Sequence, residues 1–416
     1  MPGSATVEHL FRHRAGQMLA TLIRMFGAAR IDLIEDAIQD SLLRAVKLWP
    51  LEGEPSNPTA WLIQVARNAL LDKLRRLSRE GEWQAAEKAA GVGEGSAALF
   101  AHELRDDQLR LIFACCHPAI SRDAQVAVTL KTVGGFSTRE IARAYLAPEA
   151  TVAQRIVRAK ARLRSDPAMV AVPPPPELPI RLDAVLEALY LMFNEGYSAL
   201  DGEHLVRVDL CAEAIRLVEL LAGHPLTAHP RVHAMAALFY FHAARLPARS
   251  DAAGELLLLA DQDRSLWNQS ALAHALRHLE RSAQGDEVST YHLEAEIASC
   301  HTVARDWEST DWAHVLACYD ELLARSGSPV VALNRVVALA QVEGAECALR
   351  ELDRLDAAAL TQYYPYHATR GELLRLAGDT GGARAALDQG LRLASSAPVR
   401  RFLTRRMEIL GFQSLK

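Results

Sequence analysis
No apolar run in this sequence of 416 residues approaches the roughly 20 residues that a membrane-spanning helix requires. No transmembrane helix is therefore expected. The opening residues, MPGSATVEHLFRHRAG, lack the apolar core of a secretory signal, so a cytoplasmic location is expected. The six cysteines include the adjacent Cys115 and Cys116 but no C-x-x-C spacing, which argues against both a disulfide framework and a zinc site. Buried, reduced thiols are expected instead. The run Cys115-Cys116-His117 is a poor metal site too, because successive side chains on a helix point about 100° apart. Alternating β-branched runs are missing, which removes strands and leaves an all-α fold. There is no H-E-x-x-H pair, helix of paired carboxylates or phosphate loop, so no catalytic residue, cofactor or bound metal is expected.

What the sequence does contain is most concentrated in Ser137 to Arg164, STREIARAYLAPEATVAQRIVRAKARLR. Ser137 and Glu140 have the spacing of a capping box, which starts a helix locally. Ile141, Ala142 and Tyr145 face inward, with Ala142 small where two helices cross. Pro148 suits the first turn of a new helix, where a missing N–H costs nothing. In that second helix Val152, Ile156, Ala159 and Leu163 form one buried stripe, with Ala150, Gln154 and Ala161 opposite. Thr151, Arg155, Arg158 and Arg162 line a flank. Two helices, a tight turn and a cationic flank predict a DNA-reading helix-turn-helix, although a solvated basic helix has the same composition.

Charge is divided unevenly. Met1 to Ser165 holds 23 Lys and Arg against 18 Asp and Glu, and the remainder holds 23 against 33, within an overall net charge of −5. A basic front half suits a polyanion, and an acidic rear half does not. The Ala, Gly and Glu-rich stretch 81–98 and the PPPP-containing stretch 166–179 read as linkers. Three blocks result, 5–80, 99–165 and 180–416.

The first block ends in a helix from Thr59 that puts Leu62, Ala66, Leu70, Leu74 and Leu77 on one stripe. Its outer face, Gln64, Asn68, Asp72, Arg75, Arg76 and Arg79, mixes amides with cations, as suits contact with bases as well as phosphates. The preceding helix, from Ile31 to Leu48, is acidic outside, with Asp32, Glu35, Asp36, Gln39 and Asp40. That face would repel DNA and attract a basic protein surface. Between them WPLEGEPSNP, residues 49–58, reads as a stiff proline loop.

The order of these pieces, with WLIQVARNALLDKLRR in the first block and DDQLRLIFACCHPAISRDAQVAVTLKTVGGFSTREIARAYLAPEATVAQRIVRAKARLR in the second, resembles regions 2 and 4 of an extracytoplasmic-function (ECF) sigma factor of bacterial RNA polymerase. LYLMFNEGYSA, DLCAEAIRL and SPVVALNRVVALA in the rear block are similar to the ECF subgroup with a long TPR-like helical extension. The resemblance implies docking of Asp32, Glu35, Asp36, Gln39 and Asp40 on core polymerase. It implies contact of Asn57, Trp61, Gln64, Asn68, Asp72, Arg75 and Arg76 with the melted minus-ten element, the loop at Glu52 to Asn57 receiving an extruded base. It also implies minus-thirty-five contacts by Thr138, Thr151, Gln154, Arg155, Arg158 and Arg162. Core RNA polymerase and promoter DNA, as duplex and as melted strand, are the partners so implied.

In the rear block Gly371, Gly378, Ala383, Leu387 and Gly390 fall at the small and apolar positions of one 34-residue TPR unit, and Asp311 to Leu355 matches with a one-residue slip. Stacked helix pairs of this kind present a surface for a protein or peptide ligand. The resemblance implies that this block controls the sigma module in cis. Asn194, Glu195 and Tyr197, with Arg249, Asp251, Asp261 and Asp263, are expected to form an interdomain or regulatory contact. Three readings stand at this stage: a sigma factor, a helix-turn-helix regulator acting without core polymerase, and a TPR-like scaffold or an enzyme using Glu195 and His204.

Overall fold
The computed structural model describes residues 4–77, 107–145, 147–166, 169, 177–197, 207–251, 255–355 and 360–413. The linker at 81–98, the PPPP stretch, Asp201 and His204 lie outside the described residues. Among the described residues the fold is all-α, its one extended element being the isolated bridge Ser250–Leu256. The chain forms two compact units, and they divide it differently from the three blocks read in the sequence. The first holds 1–193 and 212–227, the second 194–211 and 228–416.

The helices run α1 Ser4–Phe26, α2 Ile31–Glu52, α3 Pro58–Leu77, α4 107–115, α5 Arg122–Thr132, α6 Thr138–Ala144, α7 Glu149–Ser165, α8 Leu178–Tyr197 and α9 Val208–Ala222. They continue as α10 Pro230–Ala244, α11 Gln269–Ser282, α12 Thr290–Val303, α13 Trp312–Ser326, α14 Pro329–Glu343 and α15 Ala345–Leu352. The last are α16 Tyr364–Leu376, α17 Thr380–Leu393 and α18 Ala397–Gln413.

In the first unit α1, α2 and α3 pack on one another, as do α5, α6 and α7. The stripe Leu62, Ala66, Leu70 and Leu74 of α3 is buried as its period predicts, each such leucine being worth about 1.5–3 kcal/mol. The proline loop is shorter than expected. α2 continues through Pro50 to Glu52, because a proline in the last turn of a helix removes only one bond, to an exposed carbonyl. The edge of Trp49 against Trp61, 5.6 Å between rings, ties this last turn to α3.

The second unit is a series of helix pairs, α10 with α11, α12 with α13, α14 with α15 and α16 with α17, closed by α18. Gly371 of α16 lies where a Cβ would come within 2.8 Å of the Leu387 side chain on α17, which explains a glycine at this close crossing. Between α10 and α11 runs an irregular strap, described over residues 245–251 and 255–267. Glu255 meets Arg405 of α18 at 3.0 Å, Leu256 packs on the α17–α18 core, and Arg264 donates at 2.7 Å to each of the His301 and Ala304 carbonyls at the end of α12. Leu258, Leu259, Ala260 and Asp261 line a groove of about 790 Å³ with residues of α14, α16 and α18.

Candidate nucleic-acid interface
The helix-turn-helix forms as its residues dictate. The Ser137 amide donates to the Glu140 carboxylate at 2.7 Å, and the Glu140 amide donates to the Ser137 hydroxyl at 3.2 Å, which fixes the start of the seven-residue α6. Pro148 is the residue just before α7 and not its first turn. Its extended backbone lets its carbonyl accept from the Thr151 and Val152 amides at 3.0 and 3.2 Å. Val152, Ile156, Ala159 and Leu163 are the buried residues of α7. Ala150, Gln154, Arg158, Ala161 and Arg162 are exposed, and Thr138 and Thr151 are half-buried. Arg155 leans back to Asp123 of α5 at 2.9 Å, so it approaches a phosphate only by leaving that carboxylate.

The outer face of α3 is also as its period predicts, with Gln64, Asn68, Asp72, Arg75 and Arg76 exposed. Gln64 donates to Asn68 at 3.3 Å and Arg75 pairs with Asp72 at 3.4 Å, so amides and cations lie ordered along one ridge. Asn57 has a local duty, since its side-chain oxygen accepts from the Ala60 amide at 3.1 Å and caps α3. Trp61 is held half-buried by Trp49.

The acidic face of α2 is partly engaged. Lys160 of α7 donates to both carboxylate oxygens of Glu35 at 2.6 Å, Arg164 pairs with Asp32, and Lys73 of α3 meets Asp40 at 2.9 Å. Asp36 and Gln39 are exposed. A backbone contact accompanies these pairs: Gly16 of α1 lies against the end of α5, where a Cβ would fall 2.3 Å from the Val133 carbonyl oxygen. Arg24 of α1 adds an ion pair to the buried Asp107 of α4 at 2.7 Å. Lys160, Arg164, Gly16 and Arg24 were not singled out from the sequence. The i, i+4 spacing of Lys160 and Arg164 beside the buried stripe of α7 was the available clue, but their partners lie 125 and 132 residues away.

Cys115 and Cys116 are buried against the hydroxyls of Thr132 and Thr129 at 3.5 and 3.6 Å, and burial pushes their thiols up to about 11 and about 12. They are spoken for as packing. In the second unit Arg249 stacks on the Tyr197 ring at 3.7 Å and donates to the Tyr197 carbonyl. Glu195 is buried and Asn194 exposed. The aspartates serve local turns: Asp251 accepts from the Glu255 amide and Asp263 from the Ser265 amide, both at 2.9 Å, while Asp261 is exposed beside the groove. Arg249 and Tyr197 are thus brought together.

Comparison with known proteins matches residues 10–80 to Sigma-70 region 2 and residues 110–163 to Sigma-70, region 4. The chain belongs to the ECF subfamily of sigma-70 factors. Residues 181–283 of this sigma factor match a family of unknown function, DUF6596. It is 39% identical over 400 residues to the uncharacterized protein R00370 of Rhizobium meliloti (strain 1021), covering 95% of this chain and 93% of that one. It is 28% identical over 162 residues to the ECF RNA polymerase sigma factor SigL of Mycobacterium tuberculosis, covering 39% of this chain and 88% of SigL. No solved structure matches it. No described helix of the sigma factor is long and apolar enough to cross a membrane. Its function is that of a sigma factor in transcription initiation, with core RNA polymerase and promoter DNA as the partners such domains imply.

Proposed function
We propose that this sigma factor docks on core polymerase through the acidic face of α2, places the outer ridge of α3 on the melted minus-ten strand and the exposed face of α7 in the minus-thirty-five duplex, and rests in a closed form of that machinery. The observation that carries the closed form is the bonding of Lys160 and Arg164 on α7 to Glu35 and Asp32 on α2. The same carboxylates cannot serve α7 and a basic polymerase surface at once. Docking therefore exchanges one set of cations for another and releases α7 in the same step. Two partly exposed pairs of this kind together stabilise the closed form by about 1–2 kcal/mol, a bias of about fivefold to thirtyfold. A bias this small lets polymerase open the module without a large loss of affinity. In this reading cis control by the rear block acts on the same equilibrium.

Purified core polymerase with a library of upstream sequences tests the assignment. The full chain is expected to direct initiation from a subset of the library. Asp36→Lys with Asp40→Lys is expected to abolish core binding and initiation together. Asn68→Ala with Arg76→Ala should keep core binding and lose open complexes. Lys160→Glu with Arg164→Glu is expected to tighten core binding about tenfold by removing the internal competitor. Initiation that survives charge reversal at Asp36 and Asp40 would reject docking through α2.

A further inference from the structure
The second unit contains a group of side chains with which transcription initiation has no evident business. Successive helices α12 and α13 pack together around Leu293, Ile297, Val315 and Leu322, and the edge of that core is chemically unlike its centre. Glu296 and Cys300 stand one turn apart on α12, and His314 and Cys318 one turn apart on α13. Spacing of i, i+4 puts both members of each pair on one face. His314 Nε2 lies 2.7 Å from Glu296 Oε1 and 3.6 Å from Cys318 Sγ, and these three donor atoms all lie within 4.8 Å of one another. Cys300 borders the same core.

We propose that Glu296, His314 and Cys318 form a binding site for a borderline-soft divalent transition-metal ion of the zinc class, with a fourth position open to water. A carboxylate, an imidazole and a thiolate are the three donor types such an ion accepts. In a tetrahedral site with metal–ligand bonds of about 2.0–2.3 Å, neighbouring donor atoms stand about 3.3–3.8 Å apart. The His314–Cys318 separation of 3.6 Å already has that value. The Glu296–His314 contact has to lengthen by about 0.6–1 Å, which a half-exposed glutamate achieves by a small rotation. Cys318 is buried at the floor while Glu296 and His314 stand at the mouth, so the ion has a path of entry and an anchor beneath it.

Ligands from two helices make the ion a staple between α12 and α13. The end of α12 is where Arg264 of the strap is bonded, through the His301 and Ala304 carbonyls. Loading the site therefore rigidifies the platform that holds the strap, and two exposed ligands keep the ion exchangeable.

The test titrates Co²⁺, as a spectroscopic probe, into the full chain after chelation of metals. One equivalent is expected to produce a thiolate-to-metal charge-transfer band and the visible bands of a tetrahedral ion, and Zn²⁺ is expected to displace it. Cys318→Ser should abolish the charge-transfer band, and His314→Ala should weaken binding at least tenfold. Cys347→Ser, whose thiol donates to Glu343 on another helix, should bind as the parent does. Should Cys318→Ser misfold, the half-exposed His314→Ala and Glu296→Gln variants carry the test with Zn²⁺ competition as readout. Absence of the charge-transfer band, its survival in Cys318→Ser, or equal affinity in His314→Ala would overturn the assignment.

Discussion
Gly16 shows how much a single missing side chain decides in the first unit. A Cβ there would sit 2.3 Å from the Val133 carbonyl oxygen, inside any permitted contact, so Gly16→Val must push α1 away from the end of α5. The expected result is a more open front module, read as tighter core binding together with a lower melting temperature. A residue that merely packed would lower stability without raising affinity. In the second unit, His242 is buried beside Arg245, Arg249 and His301, and burial, followed by the charge of the two arginines, holds its imidazole down to about 3. His301 is held down to about 4 for the same reason, with Arg245 and Arg264 as its cations. The folded form thus binds fewer protons than the unfolded chain between about pH 3 and pH 6.5, so stability is full above pH 6.5 and falls as pH drops through that window. For His242 alone the loss by pH 5 is about 2 kcal/mol. Urea unfolding at pH 7.5 and pH 5 is expected to show it, and His242→Gln is expected to remove about half of the difference. At this scale the sequence was least legible. Gly16, Lys160 and His242 carry no local pattern that names their partners, and the Glu296 and His314 pairs escape a search for C-x-x-C because their spacing belongs to helices and not to knuckles.

The elements themselves were legible wherever their causes are local. The Ser137–Glu140 box, the stripe of α7 and the stripe of α3 all depend on residues within two turns, and the structure has them where periodicity puts them. Departures occur where a local rule has slack. Proline in the last turn of α2 removes one backbone bond, and the helix runs on to Glu52 with Trp49 set against Trp61 of α3. Pro148 satisfies the entry to α7 as well from just outside as from within. The capping box makes a prediction of its own, because α6 has only seven residues. Ser137→Ala with Glu140→Ala is expected to cost about 1–2 kcal/mol and to weaken duplex binding without affecting core binding, as measured by thermal melts and gel shift. Equal losses of DNA and core affinity would mean that the damage had spread beyond the helix-turn-helix.

On the scale of the whole molecule, the boundary between units follows packing and not composition. The first unit keeps residues 180–193 and 212–227, which the sequence assigns by linker composition to the rear block. Arg181 reaches the Phe113 carbonyl at 3.2 Å and Gln108 reaches Glu213 at 2.9 Å, so a chain cut within the PPPP stretch would expose α4 along with its own end. The second unit is held together differently, through the strap. Leu256→Asp is expected to leave helix content nearly unchanged and to make residues near 255–258 sensitive to protease, because the leucine packs on α17 and α18 while the helix pairs are local.

The strap also has a place in time. It leaves the ribosome before α12, α14, α16 and α18 have been made, so the helices that come to flank it meet a segment already present. Each helix pair can close as soon as its second member emerges, whereas the pairing of Glu255 with Arg405 spans 150 residues and has to wait for α18. Without α18 the strap would lose both the Glu255–Arg405 pair and part of the apolar core on which Leu256 packs.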